Sequence, residues 1–415
     1  SFFCQFFRCV VYWYLMKVLF VVFSPATGSF GGLTRVLALA REFSAKGHEV
    51  EFCAAGHVKA LIEKKKFPVR TTPEPTLIGL PRVLSRILEK RAQRIRIPLR
   101  DSKTAGSVWF VYYLTGMLNE RYLSKLVDAQ LEAIRDFAPD LIVTELDPGA
   151  YLAARISGVP IVTTFAKIAA YGRGSHSWKR AKRVLSRVLR RHGAKPLSAP
   201  EDLMSGDGVL DIIPSIPALD GSLESANVVY VGNILEPVRD ERLTFSAARG
   251  SRYVFVYSGT GSLPIGQLRK VLPSAFEGIA DVQCLVAAET LEREERVGNV
   301  FFAPWIPAQE ILPQCDLVIC HGGLNTITQS IEAGVPLLCF PGAIFERRYN
   351  AEMVMKNGAG MMGEISDFNP AWIRRQYERR REFAPGVTRL RGDFAHYSGA
   401  PFAVDRIIAW KKSDR

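Results

Sequence analysis

An apolar run from Leu317 to Cys320 enters His321-Gly322-Gly323, and a helix is expected from about Asn325. A buried strand, a glycine turn and a helix start in that order build a pocket for an anion at the end of a sheet strand. Glycines without a Cβ let backbone N–H groups approach a phosphate, while a helix start supplies unpaired donors and partial positive charge. Asn325 and Thr326 fall where a cap or first-turn residue would face the same anion. An ordinary strand-to-helix turn could also read H-G-G, so that triplet alone decides little. The joint order decides more: W-I-P-A-Q-E-I-L precedes it, and G-V-P, F-P-G-A-I-F-E-R-R-Y-N-A and K-N-G-A-G follow, all between Trp305 and Gly360.

The rest of the chain alternates strand and helix patterns. K-V-L-F-V-V-F is a continuous apolar run and reads as a buried strand. A helix is expected from Leu33 to Lys46 with Gly47 as its stop, then a strand in H-E-V-E-F-C-A-A. Leu131 to Phe137 reads as a helix, P-D-L-I-V-T-E-L as a strand, A-Y-L-A-A-R-I-S as a helix and V-P-I-V-T-T as a strand. Later strands are expected at Tyr253 to Tyr257, Gln283 to Ala287, Val300 to Phe302, Leu317 to Cys320 and Leu337 to Phe340. This is an α/β pattern with parallel sheets covered on both faces. At ~100–200 residues per domain, a chain of 415 residues holds two or three. A dinucleotide-binding dehydrogenase is the rival for such sheets. Its G-x-G-x-x-G fingerprint is missing: Gly28-Ser29-Phe30-Gly31-Gly32 has the wrong spacing and Gly259-Thr260-Gly261 lacks the third glycine.

The segment from Trp305 to Gly360 resembles the donor-binding signature of inverting, nucleotide-sugar-dependent glycosyltransferases of GT-B fold. Related branches are the plant and bacterial UDP-glycosyltransferases and the peptidoglycan N-acetylglucosaminyltransferase. The chain is most similar to a bacterial and archaeal branch of predicted glycosyltransferases that carries G-H-L-T-R near the start, D-x-E-P in mid-chain and F-E-Q-x-x-N-A at the end of its pocket. The resemblance is strong over 301–362 and moderate over 17–56 and 139–164. It implies a GT-B fold, two Rossmann-like domains facing across a cleft. The expected divisions are an apolar extension at 1–15, an acceptor-binding domain at 16–235 and a linker at 236–250. A nucleotide-sugar-binding domain at 251–400 and a C-terminal helix at 401–415, packing back on the first domain, complete them.

The resemblance assigns roles. His321 would contact the diphosphate, with Gly322, Gly323, Leu324, Asn325 and Thr326 completing the cradle and stabilising charge on the leaving group. Ser258, Gly259, Thr260, Gly261 and Ser262 would form a second backbone nest. Trp305 would wall the nucleobase and the Ile306 backbone would read its edge, with a core-closing tryptophan as the lesser alternative. Gln329 stands where many relatives carry the glutamate that holds the ribose. Glu346 and Arg347 match the acid–Gln pair that grips the sugar, with Arg347 departing from Gln.

The acceptor side departs furthest from the family. The loop Gly28, Ser29, Gly31, Gly32 puts Gly32 where a histidine, sometimes an aspartate, acts as general base. A positioned base contributes ~10²–10⁴ in rate, and glycine cannot supply it. Glu145-Leu146-Asp147-Pro148 matches D-x-E-P with its acids exchanged, so Asp147 or Glu145 is the candidate base. A capping role before the helix at Ala150 competes with that reading. Three functions stay open: transfer from a UDP- or dTDP-sugar, epimerisation or hydrolysis of such a sugar, and non-catalytic binding. No metal or resident cofactor is expected, the nucleotide sugar being a co-substrate.

The formal charge of +13 concentrates in Arg82 to Arg100, Lys167 to Lys195 and Arg374 to Arg391. Lys167 to Lys195 contains no acid, with Val184, Leu185, Val188 and Leu189 at helical spacing. Such a helix suits a solvated face or an anionic membrane surface equally, and basic helices would also suit a lipid-linked or anionic acceptor. No nucleic-acid module accompanies the charge. The seven cysteines are scattered without metal spacing and read as buried thiols. The expected location is the cytoplasm, peripheral on the inner membrane face. Residues 1–15 fall short of the ~20 a membrane span needs, and Met16 reads as the working start.

Overall fold

The structure, a computed structural model, describes residues 15–24, 31–81, 83–85, 107–164, 172–221, 227–236, 252–259, 263–279, 281–342 and 344–413. Strand β1 (Lys17–Val22) shows why the chain forms covered sheets. Val18, Phe20 and Val22 enter one apolar core while Leu19 and Val21 enter another. A strand apolar on both of its alternating faces belongs at a sheet's centre. It lies there, in a seven-stranded parallel sheet ordered β3-β2-β1-β4-β5-β6-β7. Its partners are β2 (Glu49–Ala54), β3 (Val69–Thr71), β4 (Leu141–Glu145), β5 (Ile161–Thr163), β6 (Val209–Ile213) and β7 (Val228–Tyr230).

A second seven-stranded sheet repeats the design in the order β10-β11-β9-β8-β12-β13-β14. It comprises β8 (Arg252–Tyr257), β9 (Val282–Ala287), β10 (Glu295–Val297), β11 (Val300–Ala303), β12 (Cys315–Cys320), β13 (Leu337–Cys339) and β14 (Gly360–Met362). All pairs are parallel except β10–β11. Both sheets reverse strand order once near their middle, at β1/β4 and at β8/β12. Open α/β sheets bind ligands beyond the carboxyl ends of the strands that flank such a reversal. In register there, Val22 faces Glu145 and Tyr257 faces Cys320.

The helix Gly31–Ala45 follows β1, with Gly47 just beyond it at φ 85°. Ala403, Val404 and Ile407 of the last helix, Ala400–Ser413, join the Val18 core, so the chain's end packs on the first domain. Conversely Ile216 and Leu219 lie in the second domain's core. The helix expected at Leu131 to Phe137 begins earlier, at Glu120, because Asn119 caps it by accepting from the Tyr122 N–H at 3.1 Å. Leu123, Leu126, Val127 and Ile134 form its buried stripe.

The basic helix spans His176–Arg191. Val184, Leu185, Val188 and Leu189 are core residues of the first domain, and Lys179, Lys182, Arg183, Arg187 and Arg190 are exposed. Its apolar spacing therefore serves packing, which leaves only charge for any surface contact. No helix among the described residues is long and apolar enough to cross a membrane. Cys53, Cys284, Cys320 and Cys339 are buried free thiols, as their scattered spacing implies. Residues 1–14, 237–250 of the expected linker and most of the Arg82 to Arg100 stretch lie outside the described residues.

Candidate active site

At the second sheet's reversal, β12 delivers His321 and β8 delivers Ser258-Gly259 to the same place. The imidazole is sandwiched: a Cβ on Gly259 would stand 2.3 Å from its Nδ1, and one on Gly323 2.7 Å from its Nε2. Both positions must therefore be glycine for the ring to sit there, and Gly259 also has φ +53°. Burial first, and the neighbouring Arg347 charge second, push His321 down to about 3. The ring is thus a neutral imidazole, able to give or accept one hydrogen bond without adding charge. Its Nδ1 is buried without a hydrogen bond of good geometry among the described residues, although the Tyr257 backbone lies near enough to oppose the downward shift. An unpaired buried polar atom is costly, and a polar ligand at the site would relieve it.

The helix after this turn, Leu324–Glu332, is N-capped by Gly323 without any side-chain cap bond. The first-turn N–H groups of Leu324, Asn325 and Thr326 thus start a helix whose cap residue has no side chain to accept from them. Asn350 holds the loop by giving its amide to the Gly322 carbonyl at 3.1 Å. Trp305 is 45 % exposed beside buried Ile306, which removes the core-closing reading of that indole. Gln329 borders a groove of about 380 Å³ together with Leu235, Gln309, Leu312, Pro313 and Glu332. Here its amide N–H is turned back to the Asn325 carbonyl at 3.0 Å. Glu346 and Arg347 open the helix Phe345–Lys356, and burial pushes the Arg347 guanidinium below its usual value.

At the first sheet's reversal, β4 ends on Glu145. A Cβ built on Gly32 would stand 2.7 Å from Glu145 Oε1 and 2.8 Å from its Cδ. Arg35, one turn along the same helix, donates Nε to Glu145 Oε2 at 3.0 Å and Nη2 to Oε1. Thr164 Oγ1 also donates to Oε2, at 2.9 Å. The third nitrogen of Arg35, Nη1, crosses to the other domain and donates to Asn325 Oδ1. Burial works against the Arg35 charge, but Glu145, and more distantly Glu346, outweigh it and raise its pKa.

Asp147 sits elsewhere. It caps the helix Pro148–Ser157, with Oδ1 accepting from the Ala150 N–H at 2.9 Å and from Gln130 at 3.1 Å. Burial raises its pKa despite those bonds.

The two reversals thus bring Glu145 and Gly32 on one side towards His321, Asn325 and the glycine turn on the other, with Arg35 between them. Gly28, Ser29, Thr260, Gly261 and Ser262 lie outside the described residues, and Gly31 begins the helix that carries Gly32. Sequence reasoning passed over Arg35 and Asn350, although both stand inside quoted motifs, L-T-R and R-R-Y-N-A. It also missed Asp220, whose Oδ2 is buried without a partner among the described residues. Burial, then the Glu346 charge, raise that carboxyl to about 7. Nothing in the sequence around Asp220 marks it.

Comparison with known proteins agrees with this geometry. Residues 278–395 match the family model of the erythromycin biosynthesis protein CIII-like C-terminal domain. A PGL/p-HBAD biosynthesis rhamnosyltransferase of Mycobacterium bovis is 26% identical over 273 residues, 58% of this chain and 60% of the relative. The chain thus matches about three fifths of that relative's length. A PGL/p-HBAD biosynthesis glycosyltransferase of Mycobacterium tuberculosis is 22% identical over 426 residues, covering 94% of this chain and 92% of the relative. The solved structure of the glycosyltransferase VinC in complex with dTDP aligns with TM-score 0.69 at 17% identity, over 96% of this chain and 100% of that one. The chain thus has the GT-B fold, and the proteins its sequence resembles are glycosyltransferases.

Proposed function

We propose that the chain transfers a hexose from a UDP- or dTDP-sugar to an acceptor hydroxyl, with inversion and without a metal. The observation that carries this reading is the glycine-capped tip of Leu324–Glu332, set beside a neutral His321 and tied through Arg35 to the opposite domain. A diphosphate at that tip would accept from the first-turn N–H groups and from the imidazole. Those donors would meet the charge that grows as the sugar leaves. Kinship favours dTDP, since VinC was solved with it and the M. bovis relative is named a rhamnosyltransferase.

The acceptor oxygen attacks the anomeric carbon from the face opposite the diphosphate. Its new C–O bond forms as the bond to the β-phosphate oxygen breaks, and the diphosphate departs with the electron pair. The acceptor proton goes to Glu145, whose carboxylate stands where a side chain at Gly32 would begin. Asp147 is the weaker candidate, because its carboxylate is 3 % exposed and bound to its own helix and Gln130. The Glu145 position also speaks against a binding protein whose base has simply been lost.

The acceptor is lipid-linked, anionic or a small molecule. The exposed cations of His176–Arg191 support contact with an anionic bilayer held by charge alone. Such binding to anionic vesicles would vanish in high salt, and salt-resistant co-sedimentation contradicts it.

Thermal unfolding with UDP, dTDP and their sugars tests the donor. A specific ligand at a hundredfold its Kd stabilises the fold by about 2.7 kcal/mol. NMR of the products then separates transfer from epimerisation and hydrolysis. Absence of any shift with both nucleotide series sinks the proposal.

A further inference from the structure

Arg35 is a nearly buried cation of the first domain, its side chain 11% exposed, that reaches the phosphate helix of the second. Glu145 fixes the plane of its guanidinium through Nε and Nη2. That leaves Nη1 aimed at Asn325, the second residue of the Leu324–Glu332 helix. An amide oxygen is a neutral acceptor at a place where the helix start favours an anion. A guanidinium carries five N–H groups, and three are committed here, so it has donors to spare.

We infer that Arg35 is a donor-diphosphate ligand supplied by the acceptor domain, with Asn325 Oδ1 holding the place of a phosphate oxygen until the nucleotide arrives. The inference rests on the donor site proposed above. Its chemistry is the planar, two-pronged recognition that guanidinium gives to phosphate and an ammonium does not. One consequence concerns Glu145. Both of its oxygens now accept from Arg35. Each bond that Arg35 shifts to the diphosphate frees a lone pair of that carboxylate, where the acceptor hydroxyl can donate. A second consequence is order: the donor diphosphate engages Arg35 before Glu145 is free to receive the acceptor.

Titration calorimetry of the full chain with a nucleoside, its monophosphate and its diphosphate tests this. Uridine, UMP and UDP form one series; thymidine, dTMP and dTDP form the other. In the series that wild type prefers, Arg35→Gln should weaken the diphosphate about ten- to hundredfold and leave the nucleoside within about twofold. Arg35→Lys should fall between. An equal loss for nucleoside and diphosphate makes Arg35 a packing residue and overturns the inference, as does no loss at all. A wild type that binds the diphosphate no better than the nucleoside instead removes the donor site, and this inference with it. Should Arg35→Gln fail to fold, the paired change Arg35→Gln with Glu145→Gln leaves no buried charge alone, and the same comparison decides.

Discussion

The carboxylate of Glu145 fills the space that a side chain at Gly32 would take, the built Cβ lying 2.7 Å from Oε1. Two departures from the family are therefore one. The glycine in the first helix makes room for an acid from the end of the fourth strand, and neither suits the site without the other. Gly32→Ala should push Glu145 off Arg35 and cost about 1–3 kcal/mol of stability, because a methyl has been forced into a filled space. Glu145→Gln should slow transfer by about 10²–10⁴ if the carboxylate takes the proton. Nucleoside binding, which does not involve Arg35, should persist on the same sample. Asp220→Asn serves as the contrast: a rate loss there, with Glu145→Gln still active, moves the base to the other carboxylate.

His321 gives a pH prediction with a definite sign. The folded imidazole is pushed down to about 3 by burial and Arg347, against about 6.5 in an unfolded chain. Above pH 6.5 neither state holds the proton, and this group leaves stability flat. Below it the unfolded state binds a proton that the folded state refuses, so stability falls as pH drops towards 3. Between pH 7 and pH 5 the loss approaches about 2 kcal/mol. Urea unfolding of wild type and His321→Asn at both pH values checks it: the variant should lack that share of the acid sensitivity. Acid sensitivity identical in the two proteins means the ring is not held neutral. No inflection in the rate between pH 5 and 9 should belong to His321.

The central strands could be read directly, because β1, β4, β8 and β12 are apolar on both faces and their runs stand out without any partner. The glycine turn and the helix after it were equally legible, since H-G-G-L-N-T states a local geometry. Short edge strands such as Val69–Thr71 and Gly360–Met362 were not. Three residues carry no period, and their pairing is set by a neighbour far along the chain. The same limit hid the Arg35 bridge. Its two partners lie 110 and 290 residues away, and a motif records which residues are near in sequence, not which carboxylate will fill a gap. The basic helix was ambiguous for a different reason. Val184 and Leu185 have the spacing of a membrane-facing stripe, but that spacing is also what any core-facing helix shows, and they face the core.

Trp305 offers a test that stability does not confuse. With 45 % of its surface exposed, the indole contributes little to the apolar core, so Trp305→Ala should leave the unfolding temperature nearly unchanged. If its face receives the nucleobase, the same change removes a stack of about 1–3 kcal/mol, or roughly five- to 150-fold in affinity for the nucleotide. Trp305→Phe keeps an aromatic face and should recover most of that loss. The nucleoside should suffer as much as the diphosphate, which is the reverse of the pattern expected for Arg35. Calorimetry with the ligands of one nucleotide series therefore separates the two ends of the site: a tryptophan variant that loses only the diphosphate would place the base somewhere else.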